Sequence, residues 1–189
     1  LEVPSGEMLI ESWLRVLPGQ RYVGRAEWEG RQVLVKVLVG DKAGRHYQRE
    51  REGAALLAGQ SLPTSTLLDE GWVEREGGWL TFGYLEGAQS LWSFWRETEQ
   101  DAPLSSAQEQ VLADALALIA NMHARGIWQA DLHLDNLLRA GDQLYVVDGG
   151  GVKAEVTGRP LSRERVLENL GVFFAQLPAE LEPFIEELL

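Results

Sequence analysis

The chain has 189 residues, 45% of them hydrophobic and seven of them tryptophan, enough to bury a core in one domain or in two small lobes that share a cleft. Its formal net charge of −12 excludes broad binding to nucleic acid, which needs basic surface to displace counterions, and equally a polybasic hold on an anionic membrane. Cysteine is absent, which excludes a disulfide framework and a thiolate site, and no apolar run approaches the roughly 18 residues of a membrane span.

No basic, apolar leader opens the chain, and a first residue Leu1 in place of Met predicts that an initiator, a tag or a longer leader precedes it. A cytoplasmic setting is the expectation. From Trp13 to Gly40, turn signals alternate with short apolar runs. Leu14–Leu17, Tyr22–Trp28 and Gln32–Leu38 are predicted strands, and Pro18-Gly19 and Glu29-Gly30 the turns of an antiparallel meander. Lys36 lies inside the most apolar of these strands, where its stem can pack while the ammonium snorkels to water.

A helix is predicted over Lys42–Ala58, stopped by Gly59 and carrying both Glu50 and Glu52. Strands follow at Leu67–Val73 and Trp79–Leu85, around a Glu-Gly-Gly turn. Ser106-Ala107-Gln108-Glu109 is a capping-box pattern. Behind it Val111, Leu112, Ala115, Leu116, Ile119 and Met122 recur at helical spacing, and Gly126 ends the helix. Gly149-Gly150-Gly151 and Gly158-Arg159-Pro160 mark turns. A last amphipathic helix carries Val166, Leu167, Leu170, Phe173, Phe174 and Leu177, and Pro178 breaks it before a short terminal helix. There is no internal repeat and no low-complexity segment.

The chemistry concentrates in two loops. Trp128-Gln129-Ala130-Asp131-Leu132-His133-Leu134-Asp135-Asn136 sets an Asp and an Asn five positions apart, and Leu144-Tyr145-Val146-Val147-Asp148-Gly149 closes an apolar run on Asp-Gly. Phosphoryl transfer needs a carboxylate to orient and deprotonate the attacking hydroxyl, for which Asp131 is suited. It also needs oxygen ligands to hold Mg²⁺ on nucleotide phosphates, for which Asn136 and Asp148 are suited. Neither loop alone is specific; the two in this order and spacing are.

Val35-Lys36-Val37, Glu52, the Asp131 to Asn136 loop and Val147-Asp148-Gly149 together resemble the protein-kinase-like superfamily, over roughly residues 14 to 177. Within it the chain is most similar to the bacterial lipopolysaccharide core sugar kinases, which phosphorylate heptose or 3-deoxy-manno-octulosonic acid; some relatives carry the label toluene tolerance protein. The resemblance implies an α+β, bilobal fold, with an antiparallel-sheet N-lobe over residues 1–86 and a compact, mostly helical C-lobe over 87–189. It implies ATP and Mg²⁺ as cofactors. Lys36 would grip the nucleotide phosphates, steadied by Glu52, with Glu50 competing for that part. The amides of Gly19 and Gly24 would approach phosphate oxygens, and the crossing Tyr84-Leu85-Glu86-Gly87 would offer backbone groups to an adenine edge. Asp131 would serve as base, with Asn136 and Asp148 on the metal.

Departures from the resembled pattern narrow the acceptor. Gln129-Ala130 stands where His-Arg or His-Gly is usual, Asp148 runs into three glycines instead of Phe-Gly, and no Ala-Pro-Glu follows. About a dozen residues before the last long helix are too few for a peptide-docking segment. A small-molecule or glycolipid sugar acceptor is therefore expected, with peripheral contact at the inner membrane if the acceptor is lipid-linked. An aminoglycoside- or choline-type kinase and a non-catalytic nucleotide sensor are the alternatives. Arg159, Arg163 and Arg165 could form a basic patch for an anionic glycan, and Arg21, Arg25 and Arg31 could sit beside phosphates. Trp92, Trp95 and Trp128 admit either core packing or stacking on a sugar ring. His46, His123 and His133 lack zinc-ligand spacing; His133 would brace the catalytic loop or touch the acceptor, His123 would pack at a helix end, and Asp135 would shape the loop. Oligomeric state is not legible.

Overall fold

The structure, a computed structural model, describes residues 2–3, 6–98 and 104–181. Its first half is a five-stranded antiparallel sheet: β1 (Leu9–Leu17), β2 (Arg21–Trp28), β3 (Arg31–Leu38), β4 (Leu67–Val73) and β5 (Gly77–Gly83), in the order β1-β2-β3-β5-β4. The meander is made by turns the sequence specifies. Glu29 and Gly30 both have positive φ (51° and 72°), the geometry of a two-residue hairpin that continues strand twist. β1 begins five residues earlier than predicted, and the β4–β5 turn falls on Glu74 to Glu76, so that Gly77 and Gly78 belong to β5. Gly77 is required there, because a Cβ would lie 2.0 Å from the Leu38 carbonyl oxygen.

Period-two alternation sorts the side chains of β3. Val33 and Val35 join Met8, Ala26, Trp28 and Trp79 in the core on one face of the sheet. Leu34, Lys36 and Leu38 point to the other, where the helix α1 (Ala43–Gly59) packs Ala43, Tyr47 and Ala54 against Leu38, Leu80 and Phe82. Arg21 and Val23 of β2 pair with Leu38 and Lys36, so they share that face.

The chain leaves β5 through Tyr84 to Ala88 and enters a mostly helical second half: α2 (Leu91–Glu97), α3 (Ser106–Ala124) and α4 (Arg163–Phe174). α3 supplies Val111, Leu112, Ala115, Ile119 and Met122 to the largest core at the helical spacing read from the sequence, with Leu118 buried beside them and the expected Leu116 only partly so. Its capping box lies one residue earlier than predicted. Ser105 accepts from the Gln108 amide at 3.2 Å, and Gln108 returns its Oε1 to the Ser105 amide at 3.0 Å. The buried Gln108 also donates to the Trp95 carbonyl at 3.1 Å, a place where Glu109 would bury a carboxylate. Gly126 (φ +75°) closes the helix in the left-handed region.

Short strands frame the two loops: β6 (Ile127–Gln129), β7 (Leu137–Ala140), β8 (Gln143–Val146) and β9 (Val152–Ala154), pairing β7 with β8 and β6 with β9, all antiparallel. The segment after β9 folds back on the end of α3. Glu155, Gly158 and Leu161 donate their amides to the carbonyls of Gly126, Arg125 and His123 at 3.0, 2.9 and 2.9 Å. A single 3₁₀ turn, Ala179–Leu181, follows Pro178; the predicted terminal helix beyond it lies outside the described residues. Among the described residues no helix is long and apolar enough to cross a membrane.

Candidate active site

The cleft between the halves is built around Lys36. Its ammonium donates to Glu50 Oε2 at 2.7 Å and to Asp148 Oδ1 at 3.2 Å, joining β3, α1 and the loop after β8. This corrects the expectation for Glu52. α1 buries Ala43, Tyr47, Glu50, Gly53, Ala54 and Leu57 along one stripe, and Glu52 falls on the exposed side. The same stripe was the available signal. Glu50 interrupts an otherwise small and apolar row at i, i+3, i+4 and i+7 spacing, whereas Glu52 is in register only with the half-buried Leu56.

α1 is seated on the metal-type loop by bare backbone. A Cβ on Gly53 would lie 1.9 Å from the Gly149 carbonyl oxygen, and a Cβ on Gly149 would lie 2.5 Å from that of Glu50. Asp148 itself takes a left-handed conformation (φ 66°), unusual for a residue with a side chain. Gln129, fully buried, donates from Nε2 to the carbonyls of Val147 at 2.8 Å and Asp148 at 3.1 Å. The Gln129 carbonyl in turn accepts from Asn169 Nδ2 at 2.7 Å, and Asn169 Oδ1 meets His123 Nε2 at 2.9 Å. His123 is thus a packed residue at the end of α3, and burial pushes its imidazole below the ordinary value.

Electrostatics separate the two carboxyls. Burial pushes Glu50 up to about 7, against the pull of the Lys36 charge. Burial also opposes ionisation of Asp148, but hydrogen bonding to Glu50 together with Lys36 and Arg21 outweighs it, so Asp148 lies well below the usual carboxylate range. A proton taken up by this pair therefore sits on Glu50, the more enclosed of the two. For Lys36, burial disfavours the ammonium, yet Glu50 and Asp148 together hold it above the ordinary lysine value.

Across the cleft, the catalytic-type loop is fixed through its backbone while its carboxylate stays exposed. The Asp131 carbonyl accepts from Asn136 Nδ2 and from the His133 amide, both at 2.7 Å. Gln176, just past α4, braces the loop, accepting from the Leu134 amide at 2.9 Å and donating to the Leu132 carbonyl at 2.8 Å. Sequence reasoning missed Gln176 and the role of Gln129, since neither carries a spacing signal. His133 is exposed, and Asp135 accepts from the Ser90 hydroxyl at 2.8 Å at the cap of α2.

Two adjoining cavities open onto these groups. One, of about 200 Å³, is mostly apolar and bounded by Val23, Leu34, Ala54, Phe82, Leu138 and Val147, with Lys36, Asn136 and Asp148 also in its wall. The other, of about 440 Å³, is polar and contains Asp131, His133, Asn136 and Asp148. Lys36, Asp131, Asn136 and Asp148 are thus brought together. Gly19, Gly24 and Glu86 are not. None of the three lines either cavity, Gly24 faces the opposite side of the sheet under Trp13, and Glu86 is exposed. Trp95 is core, and Trp128, which lines neither cavity, carries Lys153 and Arg165 against its ring at 5.0 and 4.4 Å. Arg165 is also paired with Glu155 and Glu168.

The donor set fits magnesium of the kind that phosphates complete. Among the described residues no group of three or more His, Cys, Asp or Glu could cage a metal. Asp148 instead offers one carboxylate. Asn136, with its amide nitrogen engaged by Asp131, offers the amide oxygen, the sparse oxygen set typical of Mg²⁺ sites that share their ion with a nucleotide.

A sheet-and-helix lobe whose strand lysine meets a helix glutamate, above a helical lobe carrying Asp-x-x-x-x-Asn and Asp-Gly loops, is the protein-kinase-like fold. The solved structure entitled WaaP in complex with acyl carrier protein shares it, with a TM-score of 0.62, 21% sequence identity, and coverage of 88% of this chain and 70% of that one. No family model and no curated protein matches the sequence.

Proposed function

We propose that the protein is an ATP-dependent phosphotransferase that moves the γ-phosphate onto a sugar hydroxyl, with the lipopolysaccharide inner core as acceptor. The observation that carries this reading is the buried Lys36–Glu50–Asp148 cluster where an apolar cavity adjoins the polar one lined by Asp131 and Asn136. The motif resemblance to the lipopolysaccharide core sugar kinases supports the acceptor class, and the fold shared with the structure entitled WaaP in complex with acyl carrier protein supports the kinase-like frame.

In this reading the apolar walls, Val23 and Leu34 against Leu138 and Val147, take the adenine, and Lys36 grips the phosphates. Glu50 fixes the lysine's position. Asp131 orients the acceptor hydroxyl and accepts its proton as the new O–P bond forms and the bond to the β-phosphate bridging oxygen breaks. Asp148 and Asn136 would hold Mg²⁺, which supplies charge neutralisation between the phosphates. The setting is cytoplasmic, at the inner face of the inner membrane when the acceptor is lipid-linked.

The test is Mg²⁺-dependent turnover of ATP with deacylated core oligosaccharide, in wild type and Asp131→Asn. The glycan should stimulate turnover, and the substitution should lower it roughly 10²–10⁴-fold while nucleotide affinity persists. ATP binding with no turnover on any acceptor would leave a nucleotide sensor and sink the proposal.

A further inference from the structure

The polar cavity beside Asp131 has one wall of a sign opposite to the rest of this acidic molecule. Arg15, Arg21, His46 and Arg49 line it from the sheet-and-helix lobe together with the buried Glu50, and Asp131, His133, Asp135 and Asp148 from the loops of the other lobe. The four basic groups divide by position. Arg15 and Arg21 also border the apolar cavity, next to Lys36, which places them at the phosphate end of a nucleotide. His46 and Arg49 border only the cavity that contains Asp131.

Structural pairing does not account for these two. Among the described residues no carboxylate lies within salt-bridge distance of Arg49, which stands exposed on α1 beside the buried Glu50. Burial pushes the His46 imidazole below its ordinary value, and the next contributions all come from cations, Arg45, Arg21, Arg49 and Lys42. Glu50 and Asp148 line the same cavity but are engaged by Lys36 and Arg21, which leaves Arg49 as a cation with no carboxylate partner beside His46, in a chain of net charge −12. A planar guanidinium facing a cavity matches the two-oxygen edge of a phosphate or carboxylate.

We infer that His46 and Arg49 form a subsite for an acidic group, phosphate or carboxylate, carried by the acceptor near its reacting hydroxyl. The inference rests on the phosphotransferase reading for the role of the cavity, and it selects an anionic sugar over a polyamine sugar or an amino-alcohol, whose charge this wall repels. Of the basic patch expected at Arg159, Arg163 and Arg165, Arg165 is taken up by Trp128, Glu155 and Glu168, and Arg159 and Arg163 are exposed and line neither cavity.

The experiment is calorimetric titration of the full chain with deacylated core oligosaccharide in three forms: native, phosphatase-treated and carboxyl-reduced. Each is titrated with and without MgADP, in wild type, Arg49→Gln, Arg49→Lys and His46→Asn. The native glycan should bind, and losing one of its two kinds of acidic group should weaken it, which identifies the group read. Arg49→Gln should weaken native glycan roughly tenfold, as expected for one charged hydrogen bond, and erase the difference between the forms. Arg49→Lys should restore part of it, and MgADP affinity should not move. Equal affinity for the three forms, undiminished binding by Arg49→Gln, or no glycan binding at all would overturn the subsite. Absence of MgADP binding alongside Arg49-dependent glycan binding would instead overturn the phosphotransferase reading and leave the subsite standing.

Discussion

At the scale of single residues, the two glutamates of α1 show what spacing can and cannot reveal. The Asp131, Asn136 and Asp148 positions were legible because each loop is a short, local pattern. The lysine's partner was not, because it depends on which face of a helix turns inward, and Glu50 and Glu52 lie some 200° apart around α1. Glu50→Ala is expected to cost about 1.5–3 kcal/mol in urea unfolding, the loss of a hydrogen bond to a charge, since Lys36 keeps Asp148 at 3.2 Å and is not stranded. Glu52→Ala should stay within about 0.5 kcal/mol of wild type. Glu50 also sets a pH dependence. Its folded value of about 7 lies above the ordinary 4.5, so between these the folded state keeps a proton that the unfolded chain has lost. Its contribution to stability is present in full below pH 4.5 and is lost as pH rises through about 7. Urea midpoints measured from pH 5 to 7.5 should fall through this group in wild type, and Glu50→Gln should flatten that slope.

At the scale of elements, α1, α3, α4 and the strands of the large sheet were announced by periodicity and turn residues, with ends displaced by a few residues, whereas α2, only seven residues long, is too short to show a helical period. The displaced capping box has a cause outside the local pattern: Gln108 tolerates the buried position at the end of α2 and Glu109 does not. The seating of α1 on the loop that carries Asp148 was invisible to pattern reading, because Gly53 and Gly149 meet only through the folding of distant segments. Gly149 could be read as a turn residue, and Gly53 only as a weak point in a helix. Gly53→Ala improves local helix propensity, yet a Cβ 1.9 Å from a carbonyl oxygen must push the two elements apart. We expect a net loss of about 1–3 kcal/mol by denaturant unfolding, together with weakened nucleotide binding; a stabilised variant would show that α1 can shift without consequence.

At the scale of the whole molecule, a sheet lobe with a core on each face and a helical lobe with the largest core share one cleft, so occupancy of the cleft should be felt by both lobes. Saturating MgATP at about 100 times its dissociation constant should add about 2.7 kcal/mol to stability, read as a rise in melting temperature. EDTA should abolish most of that rise, and Asp148→Ala should be insensitive to magnesium. A wild-type melting curve indifferent to MgATP would contradict the assignment of the cleft. The antiparallel sheet and the facing loops were expected from the resemblance as one architecture; the place of the last two strands in the sheet and the cations that line the acceptor side were not, because segments distant in sequence contribute them jointly. One further consequence follows from the stretch after Asp148, where Glu155, Gly158 and Leu161 are tied to the end of α3 by three backbone hydrogen bonds. A stretch moored in this way needs no separate ordering step before the Asp148 loop is in place, so on the phosphotransferase reading its conformation would be the same with and without nucleotide.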